Sequence, residues 1–156
     1  MDTKIHLGVN SLIFHYEMYI RLILSFVFGF FIGFERTSKG KAAGIRTHAL
    51  VCIGSCLIMI LSSLSTADPM RLAAQVVSGI GFIGAGVIWT DKRNSKHGLT
   101  TAANLWITSG VGLTIGFGAY DIALITGLLM FASINSHNWA VKFGWIKNKS
   151  EELDEE

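Results

Sequence analysis

Charge is scarce in this chain. Of its 156 residues 15% are charged and 51% hydrophobic, whereas a soluble domain of this size solvates its surface with about a quarter of its residues charged. That class is excluded. Lysine and arginine number 13 against 11 acidic residues, too slight a surplus for a nucleic-acid surface. The two cysteines, Cys52 and Cys56, stand four apart in what reads as one helix, a poor placement for a structural disulfide. No Walker loop and no Ser/His/Asp set occurs, and the glycines from Gly79 to Gly86 lack the strand and acidic partner of a nucleotide site. No enzyme activity and no cofactor are therefore expected. The amino terminus shows no basic stretch leading into a short apolar run with a small-residue cleavage site, so no removable signal peptide is expected.

What the sequence does contain is uncharged runs. Thr47 to Ala67, Leu72 to Thr90, His97 to Tyr120 and Ile122 to Val141 each hold 19 to 24 residues, and a helix of about 20 apolar residues crosses a bilayer core. Leu22 to Phe34 is too short alone but reaches spanning length when extended back to Phe14. That extension admits Glu17 and Arg21, four apart with the acid first, the favourable helical pairing. Without period-two alternation a closed barrel is excluded. The expected fold is an all-α membrane bundle of about five transmembrane helices over residues 14–141. Residues 1–13, with Ile5, Val9, Leu12, Ile13 and Tyr16 at helical spacing, read either as an interfacial segment or as a frayed terminus, and a charged tail follows over 142–156.

Arg36, Lys39, Lys41 and Arg46 follow the first span, Lys92, Arg93 and Lys96 the third, and Lys142, Lys147 and Lys149 the fifth; Lys4, Arg21 and Arg71 fall on the opposite side. The bias predicts an outside amino terminus and a cytoplasmic carboxyl terminus in a multi-pass inner-membrane protein, with an odd number of spans. The acidic end, Glu151 to Glu156, reads as a solvated terminus. Two helix pairs share an echo: Phe31-Ile32-Gly33 before Gly44-Ile45-Arg46-Thr47, and Phe82-Ile83-Gly84 before Gly98-Leu99-Thr100-Thr101. It reads either as a parallel duplication or as coincidence in glycine-rich membrane sequence.

Gly29 with Gly33, Gly81 with Ala85, and Gly112 with Gly116 have the small-xxx-small spacing through which helices approach closely in lipid. Gly79, Gly81, Gly84 and Gly86 are accordingly read as a packing face, within the bundle or in a homodimer. At the cytoplasmic ends, Glu35, Arg36, Arg46, Thr47, His48, Thr100 and Thr101 form a polar cluster. It reads as interfacial anchoring, with Thr100 or Thr101 capping the fourth helix, or as a site for an anion or an acidic partner. Glu35 is expected to pair with Arg46, and Lys39 to be solvated. Gln75 and Asn104 within the spans are expected to hydrogen-bond between helices. On the outer side Asp68 reads as a cap with Pro69 at the first helical position, beside Arg71, and a two-carboxylate cation site would need Asp68 to meet Asp121. His48, Cys52, Cys56 and Met59 share one stripe, but one helix cannot wrap a metal, so no metal site is expected.

Gly33-Phe34-Glu35-Arg36, Ala43 to His48, Asp68-Pro69-Met70-Arg71, Gln75 to Gly86 and Gly98 to Trp106 together resemble the MgtC/SapB family of bacterial inner-membrane proteins. The resemblance runs from about Gly33 to Ile134. It implies a membrane protein of the magnesium-limitation response and a virulence-associated context, in a short form without the soluble carboxyl-terminal domain of longer members. Thr37 and Asn104 depart from the family pattern. Two functions follow as expectations: a non-enzymatic factor contacting membrane lipid and a membrane-protein partner, or a small oligomeric ion transporter.

Overall fold

The computed structural model describes residues 2–65, 68, 70–92 and 94–144, with side chains from His15 onward except that of His137. The side chains of the expected interfacial segment, Pro69, Arg93 and the tail beyond Gly144 lie outside the described residues. The fold is all-helical: α1 (Asp2–Ser38), α2 (Ile45–Ser63), α3 (Met70–Gly86), α4 (Leu99–Phe117) and α5 (Tyr120–Lys142), with strands β1 (Trp89–Thr90) and β2 (Lys96–His97) between α3 and α4. Each helix occupies one expected span. α1, at 37 residues, is about 55 Å long at 1.5 Å per residue, and no break separates residues 2–13 from the first span.

Among the described residues, His15–Ser38 of α1 and all of α2 are long and apolar enough to cross a membrane. α3 and Tyr120–Ser136 of α5 are apolar but shorter, and α4 is diluted by Thr100, Thr101, Asn104, Ser109 and Thr114. The third helix is shorter than the uncharged run from Leu72 to Thr90 suggests. The chain leaves helix after Gly86 and turns back in a hairpin that pairs Trp89 with His97 and Thr90 with Lys96. Trp89 stacks on His97 with ring centroids 4.4 Å apart, and the Asp91 carboxylate accepts the Ser95 N–H at 2.9 Å.

α2 sits at the centre between α1 and α4; α3 packs on α4 and α2, and α5 on α4. The contacts are close because glycines make them. A Cβ at Gly29 would lie 2.6 Å from the His48 carbonyl oxygen, and one at Gly33 2.5 Å from Ile45 Cα. Further along the same stripe of α2, a Cβ at Gly112 would lie 2.4 Å from the Cys52 oxygen and one at Gly116 2.5 Å from the Cys56 oxygen. Cys52, Cys56 and Met59 are buried between these surfaces, so the stripe read from His48 to Met59 is the packing face of α2. Beside it, Cys56, Ile60, Val111, Ile115 and Ala123 form one apolar cluster.

The glycines of α3 behave differently. A Cβ at Gly84 would lie 3.5 Å from the Ala102 methyl, an ordinary contact, but one at Gly79, Gly81 or Gly86 would meet nothing within 4 Å, so the close packing expected there within the bundle is not made. Ala73, Ile80 and Gly84 face inward; Gly79 and Gly81 lie about 100° to either side of Ile80 and therefore outside the contact.

Candidate functional site at the basic end of the bundle

The end of α1, the loop to α2, the hairpin and the first turn of α4 converge at one end of the bundle, and the basic residues of two loops meet there around a cleft of about 450 Å³. Glu35 is the acid among them. Its Oε1 lies 2.5 Å from Lys39 Nζ and its Oε2 3.6 Å from Arg36 Nη1. The expected pairing with Arg46 is not made, because Arg46 is exposed while Lys39 stands one helical turn beyond Glu35 on the same face. Nor is Lys39 simply solvated: its ammonium also donates to Asn135 Oδ1 on α5 at 2.8 Å.

Arg36 and His48 are buried, at 3% and 0% exposure. His48 Nδ1 lies 3.1 Å from the Gly44 oxygen and donates to it. His48 Nε2 and Arg36 Nε are buried without a hydrogen-bond partner, a costly state for polar atoms. Thr37, which departs from the family pattern, accepts the Ile45 N–H on Oγ1 at 3.0 Å and so satisfies one orphan donor at the start of α2. Thr47 is half-buried beside a separate small cleft shared with Arg46 and Thr37.

Neither Thr100 nor Thr101 caps α4. The cap residue is Gly98, in the left-handed region at φ +87°, with no side-chain hydrogen bond. A Cβ there would lie 2.0 Å from the Val87 oxygen, so glycine is required both by conformation and by space. Thr101 is buried and Thr100 exposed, both within the first turn.

The remaining polar residues are dispersed. Gln75 is exposed on α3 and Asn104 is buried with Nδ2 unpartnered, so the hydrogen bonds expected between helices are not made. At the opposite end Asp68 Oδ1 accepts the Met70 N–H at 2.9 Å, the capping role read for it, while Arg71 and Asp121 are exposed. Arg21 pairs with Glu17 as the spacing predicts; what sequence reasoning missed is that it also donates from Nη1 to the Gly116 oxygen at 2.7 Å, tying α1 to the end of α4. The unspent donors of a partly buried guanidinium were the signal. No group of three or more potential metal ligands occurs among the described residues.

A profile of the MgtC family matches residues 22–143, which takes in α1 from Leu22 onward and all of α2 to α5. The chain belongs to the MgtC family. Family membership and two membrane-length apolar helices make it a membrane protein. Relatives include the Escherichia coli K12 protein named "Putative magnesium transporter YhiD", 47% identical over 69% of this chain and 54% of its own length. Protein MgtC of Salmonella typhimurium 14028s is 42% identical over 73% of this chain and 49% of its own. An uncharacterized Haemophilus influenzae protein is 36% identical over 88% and 61%. The chain thus spans about half the length of the first two. No solved structure matches it.

Proposed function

We propose that this MgtC-family chain is a non-enzymatic factor of the magnesium-limitation response in the bacterial inner membrane, acting through contact of α3 with another membrane-embedded helix. In this reading all five helices span, with the amino terminus outside and the basic end cytoplasmic, in keeping with the distribution of lysine and arginine. One observation carries the proposal. Ala74, Ser78, Gly81 and Ala85 lie along one side of α3 and all are exposed, an unused small-residue seam of the kind by which helices associate in lipid. The equivalent residues of α1 and α4 are already spent on α2. The partner is a second copy or a different membrane protein. Magnesium enters from the name of the E. coli relative and from the family resemblance.

That same name favours a second reading, an ion transporter. The backbones of α1, α2 and α4 are in close contact, and in this second reading transport would run between copies in an oligomer. Replacing Gly81 and Ala85 together by leucine is expected to abolish support of growth at low magnesium in a strain lacking its own copy, with the purified protein melting at an unchanged temperature. Loss of a dimer by native mass spectrometry would identify the partner as a second copy. Full growth support from the double variant would contradict the reading.

A further inference from the structure

The basic cleft lies away from the α3 seam and stands independently of it. Arg36, Lys39, Lys41 and Lys96 bring four basic side chains to it from α1, its following loop and β2. Two carboxylates answer them: Glu35 is held between Arg36 and Lys39, and Asp91 faces His97, 3.2 Å from its Nε2. Lys41 and Lys96 are exposed and have no acidic partner among the described residues, so the cleft keeps a positive surplus.

The first turn of α4 forms its floor. Leu99, Thr100 and Thr101 line the cleft, the turn contains no acidic residue and its cap residue contributes no side-chain acceptor. Its leading N–H groups are therefore the orphan donors of a helix start, at the positive end of the helix dipole. The second observation is Arg36. Its side chain lines the cleft at 3% exposure, its Nε has no acceptor, and its ion pair with Glu35 is long at 3.6 Å. A buried guanidinium with most of its five donors unspent is placed for an acceptor that supplies several oxygens at once.

We infer that this cleft binds a phosphate group, with Arg36 and the first turn of α4 holding the oxygens and Lys41 and Lys96 closing over them. Two sources present that chemistry, free phosphate or a soluble phosphate ester, and the headgroup of an anionic phospholipid. The test uses the full chain in neutral detergent. Inorganic phosphate is titrated against sulfate-free buffer while the melting temperature is followed, and phosphatidylglycerol retention is compared with phosphatidylcholine by native mass spectrometry. Binding in the first arm identifies a soluble ligand and in the second a lipid. In either case it should weaken at least about tenfold in a Lys41→Gln, Lys96→Gln double variant and persist in Arg71→Gln at the opposite end. Lys96→Glu, a single change at an exposed position, should weaken it as well. Failure of both probes to bind, or binding that the lysine variants leave unchanged, overturns the assignment.

Discussion

Gly112→Leu is expected to destabilise the bundle by about 3 kcal/mol or more, whereas the same change at Gly81 leaves its stability nearly unchanged. At Gly112 even a methyl group would lie 2.4 Å from the Cys52 oxygen and 2.8 Å from Ser55 Cβ, and both belong to the central helix, which Gly29 and Gly33 of α1 also approach closely along the same stripe. Because the clash is with backbone, relief requires α2 and α4 to separate along their contact. Overpacking of a close-packed interior ordinarily costs 1 to 3 kcal/mol and more where backbone blocks relaxation. Gly81 meets nothing within 4 Å, so leucine there is accommodated in a single copy. Thermal melts of the two purified variants against the parent check this; equal melting temperatures would show that α2 and α4 do not approach as described.

Glu35→Gln is the second large effect. The substitution keeps the shape and removes the charge, leaving Arg36 buried without a carboxylate. Removing one member of a buried ion pair costs roughly 3 kcal/mol or more, because the remaining charge stays desolvated. Lys39→Gln should cost about 1 kcal/mol or less, since that side chain is partly exposed and an amide can still reach Asn135. The charge swap of Glu35→Arg with Arg46→Glu is expected not to restore stability, because Arg46 does not reach Glu35. Denaturation of the three variants in detergent checks the order; equal losses from Glu35→Gln and Lys39→Gln would contradict it.

Helices were legible because lipid demands uninterrupted apolar runs, and charges mark their ends. Trp89 and Thr90 escaped this logic: they are uncharged and so extend the third run, although the turn-forming stretch from Asp91 to Ser95 folds them into a hairpin. The partner of Glu35 was legible and passed over, since Lys39 stands four residues on with the acid first, the same spacing that pairs Glu17 with Arg21. The glycines of α3 mark a different boundary. Small-xxx-small spacing shows that a face can be packed closely, but not whether the partner lies in the same chain. Likewise no local pattern announces that Thr37 caps α2 across a loop, because the loop's path brings the hydroxyl there.

The proposed mode of action is contact with another helix and not conduction. Purified protein in sealed liposomes loaded with a magnesium indicator tests it most directly, with an imposed Mg2+ gradient and protein-free liposomes alongside. No Mg2+ entry above the protein-free rate is expected; saturable entry that scales with the amount of protein would contradict it.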